Sequence, residues 1–263
     1  MRPLLIDASD LSVWALRLWW PVLRIGGFIA AAPVINHSAV PARVKIALTL
    51  ALAFALAPLA HAPAELSMFS GAGLLAALHE VLTGLAIGLI VQLAFEALEF
   101  AGQSISTSMG LGFATLVDPQ HGASTPVLGQ LFTIVGLLAY LAVNGHLLLL
   151  GALARSFETL PIGAPAPDRD LLFTIATWGG RILESGLLIA LPALIALVIV
   201  NLAIGVISRA APQLHLFGIG FTVALLGGFF VLLVGLDGLA SGISSLIESA
   251  LSAAQALVTP AVR

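Results

Sequence analysis

The sequence predicts an all-α membrane protein built from about six long hydrophobic helices, six being a count by spanning length. Three observations carry that prediction. Of 263 residues, 60% are hydrophobic and 9% are charged, whereas soluble domains carry about 25% charged residues. Apolar runs of spanning length recur along the chain. Short breaks rich in proline, glycine and polar residues separate them. The net charge is −3 with no basic stripe, so no nucleic-acid partner is expected. The absence of cysteine excludes disulfides and thiolate metal sites.

Leu11 to Ala32 is the first apolar segment, long enough to span. Asp7 and Asp10 precede it, and Arg17 and Arg24 lie inside it, which argues against a cleaved signal peptide. Arg17 is placed to snorkel to the interface. Arg24 lies deeper. A charge at that depth faces a bundle interior or a water-filled cavity, so Arg24 is expected to face protein. Pro33 to Pro41 is a loop, and Arg43 and Lys45 open the second segment, Val44 to Leu59. Two basic residues at a helix end suggest a cytoplasmic flank. His61 to Ser70 is a turn or loop.

Leu74 to Phe100 is the third segment, and it contains Glu80, Glu96 and Glu99. Glu80 is expected to pair with a basic residue of a neighbouring segment. Gly84 and Gly88 form a small-xxx-small pair that admits a second helix closely. Glu96 and Glu99 share a face, but no nucleophile or metal ligand accompanies them.

Ala101 to Gln130 interrupts the apolar pattern with hydroxyls, glycines and an Asp118-Pro119 step. Irregular backbone at membrane depth is tolerated only against protein or along a cavity. This stretch is therefore expected to be a conduit or gating element. Val127 to Ala154 is apolar except for Gln130 and a polar notch, Asn144-Gly145-His146. Leu160 to Asp170 is the clearest linker. Leu171 to Ile207 reads as one long helix that Pro192 can kink. Ser208 to His215 reads as a polar turn, Leu216 to Gly235 as the last apolar segment, and Asp237 to Arg263 as a more polar, alanine- and serine-rich tail with weak helical periodicity.

No phosphate-binding loop, GxSxG or HExxH motif is present. Gly110-Leu111-Gly112 is only a fragment of a dinucleotide fingerprint. The six histidines show no helical metal-site spacing. The expectation is a chain with no catalytic, cofactor-binding or metal site.

Several stretches together resemble one family. They are Arg24 with APVINHSAVPARVK (Ala32 to Lys45), the Glu80 to Gly88 segment, AGQSISTSMGLGFATLVDP (Ala101 to Pro119), Asn144-Gly145-His146 with TLPIG (Thr159 to Gly163), and NLAIGVISRAAPQLHLFGIGF (Asn201 to Phe221). The sequence resembles the FliR family of flagellar type III export-gate proteins from about residue 10 to about residue 240. Asn201, Gly205, Arg209, Pro212-Gln213 and Gly220-Phe221 carry the most specific register. His215 stands where the family often has Asn, and Thr222 where Pro often follows Gly-Phe.

The resemblance implies helical hairpins in two parts. Residues 1–163 would be a FliP-like part with a central plug loop at about 106–122. Residues 164–263 would be a FliQ-like hairpin and C-terminal tail. It implies FliP and FliQ homologues as gate partners, a FlhB homologue nearby, membrane lipid around the gate and unfolded export substrates in transit. The location implied is the bacterial inner membrane, in the flagellar basal body. Gly110, Gly112, Phe113, Leu116, Val117, Asp118 and Pro119 would form the pore plug, although simple packing of a surface loop explains the apolar three as well. Arg24, Glu80, Gly84, Gly88, Asn201, Gly205, Arg209 and Gln213 would serve subunit packing. The virulence-type (injectisome) export subunit is the related alternative. From another class, a small-solute transporter would need a midplane site built by broken helices.

Overall fold

The structure is a computed structural model that describes residues 8–61, 63, 66, 68, 70–111, 127–163, 169–210 and 220–259. Every regular element among these residues is helical. The order is α1 (Ala8–Ala31), α2 (Ala42–Leu56) with a 3-10 turn (Ala57–Leu59), α3 (Gly71–Ser108), α4 (Val127–Ala142), α5 (Gly145–Thr159), α6 (Arg169–Ala210), α7 (Phe221–Val234) and α8 (Leu236–Leu257).

Among the described residues, three stretches meet both the length and the apolarity of a membrane span: Ala42–Leu59, Gly71–Ser108 and Ala176–Ala210. The number reaches five if α4 with α5, and α7 with α8, each count as one broken span. α1 runs over 24 residues, Ala8–Ala31, a length that suffices for a span. The run from Val127 to Ala154 is not one helix. Asn144 takes a left-handed conformation (φ 55°) and ends it, a geometry that Asn tolerates better than most residues.

Two compact units arise from chain contacts. The first contains residues 1–92, 144–178 and 250–263. Its centre is the crossing of α1 and the first half of α3. A methyl group added at Gly84 would meet the Arg24 carbonyl, and one at Gly88 would lie 2.8 Å from Ala32 N and Phe28 O. Gly27 likewise faces the Val81 carbonyl. Small residues on both helices thus bring the backbones together, as the Gly84/Gly88 spacing predicts. Ile25, Phe28, Ile87 and Ile90 are buried around this crossing. Lys45 Nζ donates to Asn36 O at 2.9 Å and to Asn36 Oδ1 at 3.3 Å, tying the start of α2 to the 33–41 loop.

The second unit contains residues 93–143 and 179–249. Here the second half of α3 is the central rod. Gly102 abuts the Leu128 carbonyl of α4, and Gly136 of α4 abuts Leu98. Phe95 and Tyr140 meet edge-on at 5.8 Å. A methyl at Gly186 of α6 would lie 2.6 Å from the Ala97 carbonyl. α7 and α8 are bent by 66° at Gly235.

Several sequence boundaries shift. α3 runs on through Ser108, so 101–108, including the first residues of the expected 106–122 loop, are helix. Ala101, Ile105 and Met109 continue its buried face. Ser104, Thr107 and Ser108 hydroxyls donate to carbonyls one turn back, which lets polar residues sit in an apolar helix. Ser208 and Arg209 belong to the end of α6 and not to a turn. The polar tail forms α8, with Ile243, Leu246, Ile247, Ala250, Leu251 and Ala254 buried at helical spacing. α6 carries Pro192 without ending. The side chain of Arg17 lies outside the described ones.

α3 is the core element of the chain. In its most apolar window 56% of residues are buried, against 11% for Ala42–Leu59 and 17% for Ala176–Ala210. Those two present apolar side chains outward, Phe54 and Leu50 on one, Val198, Ile199 and Leu202 on the other.

Candidate functional site

The most polar feature of the buried interior is the guanidinium of Arg24, which has no exposed surface. A buried charge needs a counter-charge and hydrogen-bond partners for every donor. Arg24 has both. Nε donates to Glu80 Oε2 at 2.7 Å and Nη2 to Glu80 Oε1 at 2.9 Å, a two-pronged pair. Nη1 donates to Ser156 O at 2.6 Å and Ser156 Oγ at 3.1 Å. Nη2 also donates to Leu160 O at 2.7 Å. The guanidinium carries five N–H groups, and this set of acceptors occupies all of them. Its flat face lies 4.4 Å from the Phe157 ring centroid.

Ser156 and Leu160 lie at the C-terminal end of α5. Carbonyls at a helix end are short of donors, and a cation is favoured by the helix dipole; Ser156 O accepts from Leu160 N at 3.0 Å as well as from Arg24. Ser156 Oγ passes its own proton to Leu153 O at 2.6 Å while accepting from Arg24. One side chain therefore joins α1, α3 and the end of α5, immediately before the Leu160 to Asp170 linker. Trp20, Ala76 and Ile162 form a small apolar cluster in the same unit.

The predicted site residues are distributed as follows. Arg24 and Glu80 are brought together, and Gly84 and Gly88 lie one and two turns further along α3, under α1. The packing partners the structure gives them are residues of this chain. Asn201 is exposed on α6, and its Nδ2 donates to Ser108 O at 3.2 Å. Gly205 faces open space, and Arg209 is exposed near the end of α6. Gly110 takes φ +82° just past α3. Gly112, Phe113, Leu116, Val117, Asp118, Pro119 and Gln213 lie outside the described residues.

Sequence reasoning missed Ser156, Phe157 and Leu160. A signal existed: Arg24 has more donors than one carboxylate can accept, and Leu160-Pro161 marks a helix end with free carbonyls.

A cavity of about 610 Å³ opens between α6, α7 and α8, lined by Leu188, Pro192, Ala193, Phe230, Val231 and Gly238 among others. No titratable side chain lines it. Among the described residues no group of three acidic, histidine or cysteine side chains could hold a metal. The Arg24 cluster ties α1, α3 and the end of α5 together.

The family described as bacterial export proteins, family 1, matches residues 15–250. The chain belongs to that family. The matched span covers Arg24, Glu80, Ser156 and Asn201, so this export-family member carries the Arg24 cluster inside its family region. It is 39% identical to the flagellar biosynthetic protein FliR of Escherichia coli (strain K12) over 215 residues, 82% of each chain. It is 38% identical to FliR of Pectobacterium carotovorum over 230 residues, 87% of each. FliR of Bacillus subtilis (strain 168) is 32% identical over 215 residues, 81% of this chain and 83% of the relative. The resemblance read from the residues holds, and the apolar helices make this export protein an integral membrane protein.

Proposed function

We propose that this export-family chain is a non-enzymatic subunit of the flagellar type III protein export gate, seated in the bacterial inner membrane at the flagellar basal body. It forms the export channel with FliP and FliQ homologues, with a FlhB homologue alongside. Unfolded flagellar subunits pass through, and other components supply the energy. The observation that carries this reading is the family match over residues 15–250, joined by relatives named for flagellar biosynthesis at up to 39% identity. Those names favour the flagellar apparatus over the virulence-type one.

The architecture supports a subunit more than a self-sufficient transporter. α2 and α6 keep most of their apolar surface outside the chain's own core, and the cavity between α6, α7 and α8 has no convergent polar groups to orient a solute. In this proposal the segment around 106–122 closes the pore, with Phe113, Leu116 and Val117 sealing it, while residues 1–163 form the FliP-like part and 164–263 the FliQ-like hairpin.

Complementation tests the proposal. The chain, expressed in a motile bacterium whose own homologue is deleted, should restore swimming and secretion of flagellar subunits. No restoration, despite correct membrane insertion and assembly with the host's remaining gate subunits, would contradict it.

A further inference from the structure

The end of α3 is held by two other helices, and the geometry points to a seat with a specific purpose. α3 closes with a Schellman motif: Gly110 N donates to Thr107 O at 3.0 Å, and Leu111 N donates to Ser106 O at 3.0 Å, with Gly110 at φ +82°. Met109 N reaches Ile105 O at 2.9 Å. The carbonyl of Ser108 is not used by this motif. An unpaired carbonyl among apolar helices is costly. Asn201 of α6 supplies the donor at 3.2 Å. It is the one polar side chain between Ser185 and Ser208 of α6.

The second hold is steric. Met109 has no exposed surface. It fills the space where Gly228 of α7 lacks a side chain: a methyl there would lie 2.5 Å from Met109 Cγ and 2.7 Å from its Sδ. A polar hold from α6 and a shape-matched hold from α7 therefore converge on consecutive residues, Ser108 and Met109.

We propose that Asn201 and Gly228 are positioning residues that seat the end of α3 and so fix the point where the chain leaves it. The seat is a property of the described helices. Its consequence for function rests on the reading of the following segment as the pore plug. Asn201 here acts within the chain, on a backbone carbonyl, and Gly228 acts by leaving room for Met109.

Two experiments in the assembled complex test this. The chain has no cysteine, so Met109→Cys with Gly228→Cys gives an unambiguous pair. It should form a disulfide in native membranes treated with a mild oxidant, because a Cβ at Gly228 would lie 2.5 Å from Met109 Cγ, one bond from Met109 Cβ. Failure to cross-link in complexes of normal mass would overturn the seat itself. Ion leakage is then compared for Asn201→Leu, Gly228→Leu and deletion of residues 112–122. Both point variants should lose impermeability towards the level of the deletion, and Met109→Ala should restore it in the Gly228→Leu background. If the deletion leaks and the point variants do not, the positioning role is wrong. If the pair cross-links but the deletion does not leak, the plug reading fails and the seat stands as an anchor of α3 only.

Discussion

Arg24 and Glu80 lie 56 positions apart and meet in a fully buried two-pronged ion pair, the shorter contact being 2.7 Å. Removing one member of such a pair leaves an uncompensated buried charge, at a cost of about 3–5 kcal/mol. Arg24→Leu and Glu80→Leu should therefore each lower the thermal unfolding temperature of the detergent-extracted protein and its level in membranes. The double variant should be less damaged than the sum of the two, because no charge remains stranded. It should still fall short of the parent, since Leu160 O loses the Arg24 donor and Ser156 O keeps only Leu160 N. Additive losses would show that the two residues act independently.

Arg24→Lys makes a sharper test of geometry. Lysine keeps the charge but has three donors on one atom and no planar fork. It cannot serve Glu80, Ser156 and Leu160 together. A loss of stability approaching that of Arg24→Leu is expected, whereas near-normal stability would mean that charge alone matters.

The crossing of α1 and α3 depends on missing side chains. Gly84→Ala places a methyl into the Arg24 carbonyl, and overpacking typically costs about 1–3 kcal/mol. Gly151→Ala in α5 has open space around the added methyl, and should stabilise by about 1 kcal/mol or less through helix propensity. Equal effects at the two sites, read from unfolding midpoints, would contradict the close-crossing account.

Gly110 ends α3 in a left-handed conformation. A side chain there costs roughly 1–2 kcal/mol, less for Asn. Gly110→Val should thus loosen the end of α3, seen as faster amide hydrogen exchange at 105–109. Gly110→Asn should come closer to the parent.

The parts of this arrangement visible in sequence are those where a single residue states its own need. A charge in an apolar run must find a partner, so Arg24 and Glu80 each announced a buried contact, and glycines four apart announced a close crossing. Asn201, Gly205 and Arg209 were legible as a pattern, but the use of Asn201 was not. An asparagine in an apolar helix needs an acceptor, and only tertiary structure brings Ser108 to it. Hydropathy also misjudged three boundaries. Averaging left only a weak helical periodicity over α8, whose serines outnumber its charges but whose apolar residues keep one face buried. It ran α4 and α5 together through Asn144, because one polar residue barely changes a window mean. It ended α3 before Ala101, although the buried face continues through Ile105 to Met109.

The central claim is that this chain works as one member of a hetero-oligomeric gate. The most direct test is to express it with its FliP and FliQ homologues, extract the membranes in mild detergent and measure the mass of the purified complex. The account predicts a single copy of this chain inside a large assembly that contains both partners. A chain that purifies alone as a stable monomer or a symmetric homo-oligomer, and binds neither partner, would contradict it.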